Sequence, residues 1–241
     1  VYKVKEKKTG NIYAAKISLS AVEKKPDITS EIRNIVREVN ILSELDHPSI
    51  VKFIGFSPYN FQKEPKPVII TEILENGSLS DIIKSERKGL SDIKWNDTQK
   101  LITIYGIATA MSFLHSHNVI HRDLKPENIL MDKYLNPKIS DFGLSKSFHQ
   151  NKESFSLDNS GIGFKGTFIY SPPEVVFDYK YSKSGDVYSF AMIMYEILTN
   201  DEPFNKSTIN SIMKDLSKGK RPKINGPVSK PYKDLIQKCW S

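Results

Sequence analysis

Two polar motifs near the middle of the sequence carry side chains that suit phosphate chemistry. The first is HRDLKPEN, which spans His121 to Asn128, and the second is DFG, which begins at Asp141. Asp123 can accept a proton from a hydroxyl group, while Asn128 and Asp141 offer oxygen ligands for Mg²⁺, the hard cation that bridges nucleotide phosphates. Lys125 adds a positive charge for a phosphoryl group in transit. Because phosphoryl transfer depends mainly on positioning and charge neutralisation, this residue set indicates that reaction.

The first quarter of the chain is predicted to be a sheet that carries one helix. Alternating apolar residues on both sides of a Thr9-Gly10-Asn11 turn predict a β-hairpin over residues 1–17. Apolar side chains at helical spacing predict a helix over Glu31 to Glu44. Two further apolar runs, Ile50 to Phe56 and Pro67 to Ile73, have the composition of strands.

Helices dominate the prediction for the rest of the chain. Ser78 and Asn96 are suited to cap two helices. In the second helix, five apolar residues recur every three or four positions: Leu101, Ile104, Ala108, Met111 and Leu114. The segment Asp186 to Thr199 is apolar almost all round, which is typical of a helix at the centre of a lobe. The polar stretch over residues 145–165 is predicted to be a functional or disordered loop. A hinge near residues 72–76 would separate a sheet-rich lobe from a helical lobe, an α+β architecture with a cleft for ligands.

The overall composition argues against several classes of protein. The 241 residues are 39% hydrophobic, which is enough for a sizeable core. The formal net charge is +7, but the lysines are scattered among acidic residues, so no nucleic-acid partner is expected. No apolar run approaches the roughly 18 residues of a membrane span, and there is no secretory signal pattern, so a cytoplasmic location is expected. The single cysteine, Cys239, suits a reducing compartment.

The order of the motifs along the chain resembles that of eukaryotic protein kinases. Before HRDLKPEN and DFG come AAK, which ends at Lys16, and a helix that contains Glu38. After them come GTFIYSPPE, Gly166 to Glu174, and Asp186 at the start of the buried helix. Several motifs in this order are far more specific than any one alone. The resemblance covers essentially the whole chain.

The resemblance implies a bilobal protein kinase fold, with an N-lobe over residues 1–75 and a C-lobe over residues 76–241. It implies transfer of the γ-phosphoryl group of ATP to protein substrates, with Mg²⁺ or Mn²⁺ as the metal. Lys125-Pro126-Glu127 resembles the serine/threonine version of the catalytic loop. Softer matches resemble the tyrosine-kinase-like group of serine/threonine kinases: Glu75 to Leu79, Thr71, the buried helix, Arg221-Pro222 and Cys239-Trp240. Dual specificity stays open, as does a pseudokinase that binds partners without catalysis.

The same resemblance implies roles for individual residues. Lys16 should contact the α- and β-phosphates and pair with Glu38, which fits the family pattern better than Glu31, nearly two turns earlier. Asp123 is the expected catalytic acid-base residue, with Lys125 beside it. The residues expected around the nucleotide are Val1, Ala14, Thr71, Glu72, Leu74, Glu127 and Leu130. A hydrophobic spine anchored by Asp186 is expected from Leu42, Phe53, His121 and Phe142, and loss of Phe142 from it would displace Asp141.

Arg122 is expected to take part in regulation. In the family, an arginine at this position commonly pairs with a phosphate on the activation segment, because a guanidinium binds phosphate bidentately. The resemblance therefore implies phosphorylation, by an upstream kinase or by the protein itself, at one or more of Ser154, Ser156, Ser160 and Thr167. For each of these residues an ordinary loop role is the alternative.

The sequence departs from the family pattern in two respects. Pro172 stands where the family usually has alanine, which puts the local geometry of the substrate site in question. The family's glycine-rich loop would precede Val1, and the arginine that pairs with Glu174 would follow Ser241. The chain is therefore predicted to be a partial kinase domain, truncated at both ends, that by itself binds ATP weakly and transfers phosphate poorly.

Overall fold

The N-terminal part of the chain is an antiparallel sheet with one helix packed beside it. The computed structural model describes residues 1–17, 28–90, 95–147, 168–205 and 207–241. The sheet has the order β1-β2-β4-β3, formed by β1 (Tyr2–Lys5), β2 (Ile12–Ile17), β3 (Phe53–Ser57) and β4 (Val68–Glu72). Helix α1 (Ile28–Glu44) packs against β3. The predicted hairpin and helix are confirmed, although α1 begins three residues earlier than the sequence indicated.

The strand predicted over Ile50 to Phe56 is shorter than expected, because its first residues pair with the other lobe. The backbone N–H of Val51 donates to Ile139 O at 2.9 Å, and the N–H of Ile139 donates to Ser49 O at 2.9 Å. Ile50 and Ile139 thus form a parallel bridge between the two lobes.

The C-terminal part is mainly helical, as predicted. Its α-helices are α2 (Leu79–Arg87), α3 (Asp97–Ser116), α4 (Pro173–Asp178), α5 (Lys183–Thr199), α6 (Ile209–Leu216) and α7 (Lys230–Cys239). Two pairs of short antiparallel strands lie near the cleft, β5 (Val119–Ile120) with β8 (Lys146–Ser147) and β6 (Ile129–Met131) with β7 (Pro137–Ile139). The predicted α+β fold with a sheet-rich and a helical lobe is confirmed.

Both predicted helix caps are present, and the apolar residues that recur in α3 are buried to different extents. The Ser78 side chain accepts a hydrogen bond from the third residue of α2, and the Asn96 side chain accepts one from Gln99 N. Leu101 is 38% exposed, whereas Ile107 and Ala110 are fully buried. Helix α3 is apolar on most sides, so its own periodicity could not identify the face that packs against its neighbours.

Helix α5 forms the centre of the helical lobe. Its residues from Gly185 to Ile197 are almost all buried, and they belong to one hydrophobic core that also includes residues of α1 and α3. Because α5 is closely packed on all sides, it is a rigid support for the loops that contact its first turn. Within the described ranges, no helix is long and apolar enough to cross a membrane.

Candidate active site

The loop that follows β5 is anchored to the first turn of α5 by Asp186. This residue is 2% exposed and accepts hydrogen bonds from the backbone N–H groups of His121 and Arg122, both at 2.9 Å. His115 Nε2 lies 2.9 Å from Asp186 Oδ2. These contacts hold Arg122 at a φ of 71°, a left-handed conformation that costs a non-glycine residue about 1–2 kcal/mol. The buried carboxylate thus maintains a strained loop.

The carboxylate of Asp123 is held by two side chains of the same loop. Lys125 Nζ donates to Asp123 Oδ2 at 2.7 Å, and Asn128 Nδ2 donates to the same oxygen at 2.9 Å. The other oxygen, Oδ1, is buried and has no hydrogen-bond partner in the described part of the chain. Because an unsatisfied buried acceptor is costly, Oδ1 is poised to receive a hydrogen bond from an incoming group.

Lys16 joins two acidic side chains across the cleft. Its Nζ lies 2.9 Å from Glu38 Oε1 on α1 and 2.8 Å from Asp141 Oδ1 after β7. Burial opposes the charge of Lys16, but the two carboxylates outweigh it and raise the lysine pKa. For Glu38, burial outweighs the Lys16 cation and raises the pKa. For Asp141, burial favours the neutral form, but the Lys16 cation prevails and the pKa lies below its usual value.

The DFG segment points its aromatic side chain into the core. Phe142 is fully buried, and its ring lies 5.1 Å from that of His121 in an edge-on arrangement. Leu42 is also buried, and Phe53 packs against the same core. Three residues of the predicted spine, Leu42, Phe53 and Phe142, therefore belong to one hydrophobic core, and the fourth, His121, is buried against Phe142.

Asn128 and Asp141, the residues predicted to bind Mg²⁺, both carry oxygen atoms of the kind that this ion prefers. Asn128 Nδ2 donates to both the backbone and the side chain of Asp123. The amide oxygen of Asn128, Oδ1, is therefore the atom left to bind other partners. Asp141 contributes a carboxylate, and two hard oxygen donors suit Mg²⁺. Among the described residues, no group of three or more histidine, cysteine, aspartate or glutamate side chains could hold a metal ion instead.

A comparison with protein families agrees with this geometry. The family model of the protein kinase domain matches residues 1–241. The chain belongs to the protein kinase domain family. Members of this family generally use ATP and Mg²⁺.

Curated relatives of the kinase domain include proteins of a virus, a plant and an animal. The chain is 39% identical over 205 residues to the "Putative serine/threonine-protein kinase/receptor R831" of Acanthamoeba polyphaga mimivirus, covering 84% of this chain and 12% of that protein. It is 31% identical over 213 residues to serine/threonine-protein kinase STY17 of Arabidopsis thaliana, covering 87% and 34%. It is 36% identical over 221 residues to ribosomal protein S6 kinase alpha-2 of Homo sapiens, covering 89% and 27%. In these relatives the chain spans between about one eighth and one third of the full length.

Apart from Val1, the residues expected around adenine lie on β2, β4, β6 and the segment that follows β4. Ala14 on β2 is directly opposite Thr71 on β4, and both are half-buried. Leu74 packs against the main core, and Leu130 lies half-buried on β6. Val1 precedes β1 and is 86% exposed, so no packing in the described chain holds it over the cleft.

Both acidic residues expected at the nucleotide already have protein partners. Glu72 Oε1 accepts a hydrogen bond from the backbone N–H of Lys52 and pairs with Lys138 Nζ. Glu127 Oε1 accepts a hydrogen bond from Ser80 Oγ at 3.0 Å. The sequence did not indicate these partners.

The regulatory and substrate-side residues are only partly within the described chain. Ser154, Ser156, Ser160 and Thr167 lie outside the described residues. The Arg122 guanidinium lies 4.9 Å from the centre of the Tyr181 ring. Pro172 is the N-cap residue of α4, and Glu174 lies in the first turn of that helix. The proline in place of alanine is thus accommodated as a helix start, where no backbone N–H is needed.

A buried network beside the site was missed by sequence reasoning. Glu196 of α5 accepts hydrogen bonds from Tyr170 Oη at 2.5 Å and from Arg87 of α2 at 2.8 Å. Burial, and then the proximity of Glu196, raise the pKa of Tyr170. The network holds the segment before α4 on the central helix. Its members are far apart in sequence and match no motif, so only the polar residues inside an apolar helix hinted at it.

Proposed function

We propose that the chain is the catalytic part of a protein kinase that transfers the γ-phosphoryl group of ATP to serine or threonine hydroxyls of protein substrates. The observation that carries this proposal is Asp123, whose Oδ2 is held by Lys125 and Asn128 while its Oδ1 is buried and has no hydrogen-bond partner among the described residues. A carboxylate held in this way can accept the proton of a substrate hydroxyl.

The other residues position and neutralise phosphate. Lys16, held by Glu38 at 2.9 Å, is placed to contact the α- and β-phosphates. Lys125 lies beside Asp123 and stabilises negative charge on the transferred group. When bound, Mg²⁺, or Mn²⁺ in its place, would be held by Asn128 and Asp141 and would neutralise phosphate charge.

The adenine base is assigned to the hinge and the residues on either side of it. Ala14 and Val1 would cover the base from the N-lobe, and Leu130 would support it from below. The backbone of Glu72 and Leu74 would contact its edge, beside Thr71. Glu127 would have to exchange its bond with Ser80 to reach the ribose.

Transfer of radiolabelled phosphate to a generic protein substrate tests the assignment. We expect Asp123→Asn to reduce transfer by at least about 100-fold, which is the lower end of the usual contribution of general acid-base catalysis. Nucleotide binding should persist in this variant. Equal transfer by the wild type and the variant would refute the enzyme assignment. Nucleotide or partner binding with no transfer by the wild type would favour a pseudokinase.

We propose that phosphorylation of one or more of Ser154, Ser156, Ser160 and Thr167 regulates the kinase through Arg122. Burial, and then the Arg37 cation, lower the pKa of the Arg122 guanidinium, although Tyr181 and Asp186 act in the opposite direction. An anion at this position would relieve the repulsion between the two arginines. Mass spectrometry of active enzyme with all four residues unmodified would refute the proposal, as would full activity of a variant lacking all four hydroxyls.

The finer classification is also a proposal. The stretch from Glu75 to Leu79, Thr71 and Cys239-Trp240 support a place in the tyrosine-kinase-like group. The preference of the kinase for serine or threonine over tyrosine can be measured by phosphoamino-acid analysis of labelled substrate. Phosphotyrosine as the only labelled product would refute this preference. We place the reaction in intracellular signalling, since the one cysteine suits a reducing compartment.

A further inference from the structure

The sequence contains two asparagines that are each followed by glycine, in Asn76-Gly77 and Asn225-Gly226. In such a pair the backbone nitrogen of the glycine can attack the side-chain amide of the asparagine and close a cyclic imide. Glycine favours this attack because it has no Cβ in the way and its backbone adopts many conformations. The two pairs share the same intrinsic chemistry, so the fold decides which of them reacts.

Asn225 lies in the segment that joins α6 to α7, and its reacting groups are open to solvent. Asn225 and Gly226 are both exposed and belong to no helix or strand. In the part of the chain that the structure describes, neither the Asn225 side chain nor the Gly226 N–H has a hydrogen-bond partner. Gly226 has a φ of 85°, and only its chain neighbours lie within 4 Å of the position that a Cβ would take. Ring closure therefore breaks no hydrogen bond to a described residue.

Asn76, in contrast, is held by the segment at the end of β6. Its side-chain Nδ2 donates to Asp132 O at 2.6 Å, and its backbone N–H donates to Met131 O at 3.2 Å. The carbonyl oxygen of Gly77 accepts a hydrogen bond from Met131 N at 2.9 Å. The Asn76 amide must give up its bond to Asp132 before the Gly77 nitrogen can reach it, which slows ring closure.

The residues on either side of Asn225 are anchored to the helical lobe. Ile224 packs against the main core, and Val228 is 8% exposed. The carbonyl oxygen of Lys223 accepts a hydrogen bond from Tyr195 Oη at 3.3 Å. These contacts fix both ends of the short stretch that contains Asn225, so its exposure is a property of the folded chain.

We propose that Asn225 is a site of spontaneous covalent modification, where the asparagine is converted to aspartate and isoaspartate. The Gly226 nitrogen forms a bond to Asn225 Cγ, the bond between Cγ and Nδ2 breaks, and Nδ2 leaves as ammonia with the proton of the Gly226 N–H. Water then adds to one of the two carbonyl carbons of the cyclic imide. One opening gives aspartate, and the other gives isoaspartate, which adds a carbon to the backbone. The conversion consumes only water and needs no nucleotide, so it is independent of the proposed phosphoryl transfer.

The test compares the two asparagines within one sample of the full chain, incubated in mildly alkaline buffer. Mass spectrometry of a peptide digest measures the conversion of each amide to an acid, and methyl transfer by an isoaspartyl methyltransferase measures isoaspartate. We expect Asn225 to convert at least about fivefold faster than Asn76, equivalent to about 1 kcal/mol, because Asn76 must first lose its bond to Asp132. In urea that bond is absent, and the two rates should agree within about twofold.

Asn225→Gln is the matched control, because it keeps an exposed amide but requires a larger ring for attack by the Gly226 nitrogen. Isoaspartate at this position should fall to background in the variant, while conversion of Asn76 stays unchanged. Equal rates at Asn225 and Asn76 in the folded wild type would overturn the inference. So would a fivefold difference that persists in urea, because local sequence rather than the fold would then decide the site.

Discussion

Replacement of Asp186 by asparagine should damage both the stability of the C-lobe and the rate of phosphoryl transfer. The carboxylate is 3% exposed and has three partners at 2.9 Å, the N–H groups of His121 and Arg122 and the His115 ring. An asparagine keeps only one oxygen acceptor. Its NH₂ group would face a hydrogen-bond donor and, being a donor itself, could not accept the bond. Two bonds to a charged group are therefore lost or weakened, each worth about 1.5–3 kcal/mol.

We expect the Asp186→Asn substitution to lower the free energy of unfolding by about 3–5 kcal/mol. This is a large part of a typical total of about 5–15 kcal/mol. Release of the strained Arg122, whose φ is 71°, would recover about 1–2 kcal/mol of that loss but would displace Asp123. Because a displacement of about 1 Å can cost 100-fold in rate, transfer should fall by at least about that factor.

The assays are urea unfolding followed by tryptophan fluorescence, and phosphate transfer measured below the unfolding transition. Tyr195→Phe is the matched control on the same helix, because Tyr195 is 5% exposed and its hydroxyl makes a neutral hydrogen bond to Lys223 O at 3.3 Å. It should cost about 1 kcal/mol and leave transfer unchanged. A loss of less than about 1 kcal/mol in Asp186→Asn, together with a wild-type rate, would refute the reasoning.

Three further predictions address other parts of the fold. The Lys16 cation overcomes burial and lowers the pKa of Asp141, so the Asp141 carboxylate stabilises the fold at pH values above its ordinary pKa of 3.8. This stabilisation is lost as the pH falls through the folded-state pKa, so the unfolding free energies of wild type and Asp141→Asn should converge in acid. A difference that stays constant with pH would contradict this prediction. Gly106→Ala should destabilise by about 1–3 kcal/mol in thermal melts although alanine favours helices, because the added Cβ would lie 2.6 Å from Pro137 Cγ, and a higher melting temperature would count against the packing described. Ser78→Ala should cost about 1 kcal/mol in urea unfolding through loss of the α2 cap, with Ser78→Asn as the tolerated control, and equal losses in both variants would argue against a capping role.

Prediction from the sequence succeeded best where a local rule applies. The caps at Ser78 and Asn96 depend on a side chain and a backbone N–H a few residues away, so spacing alone identifies them. The apolar segment of α5 is buried on all sides, so no face had to be chosen. Helix α3 shows the opposite case, because it is apolar on most sides and its neighbours decide that Ile107 is buried and Leu101 is not.

Motif order and local patterning were sufficient to indicate the family, the two lobes and the residues Lys16, Asp123, Asn128 and Asp141, because these depend on residue type and short spacing. The contacts across the fold could not be read in that way. The pairing of Glu72 with Lys138 and of His115 with Asp186 joins residues 66 and 71 positions apart. Such pairs form only after β7, α3 and α5 have packed, since a salt bridge or hydrogen bond needs its two groups within a few ångströms and sequence spacing does not set that distance. Tertiary packing therefore decided how the hinge and the catalytic loop are held.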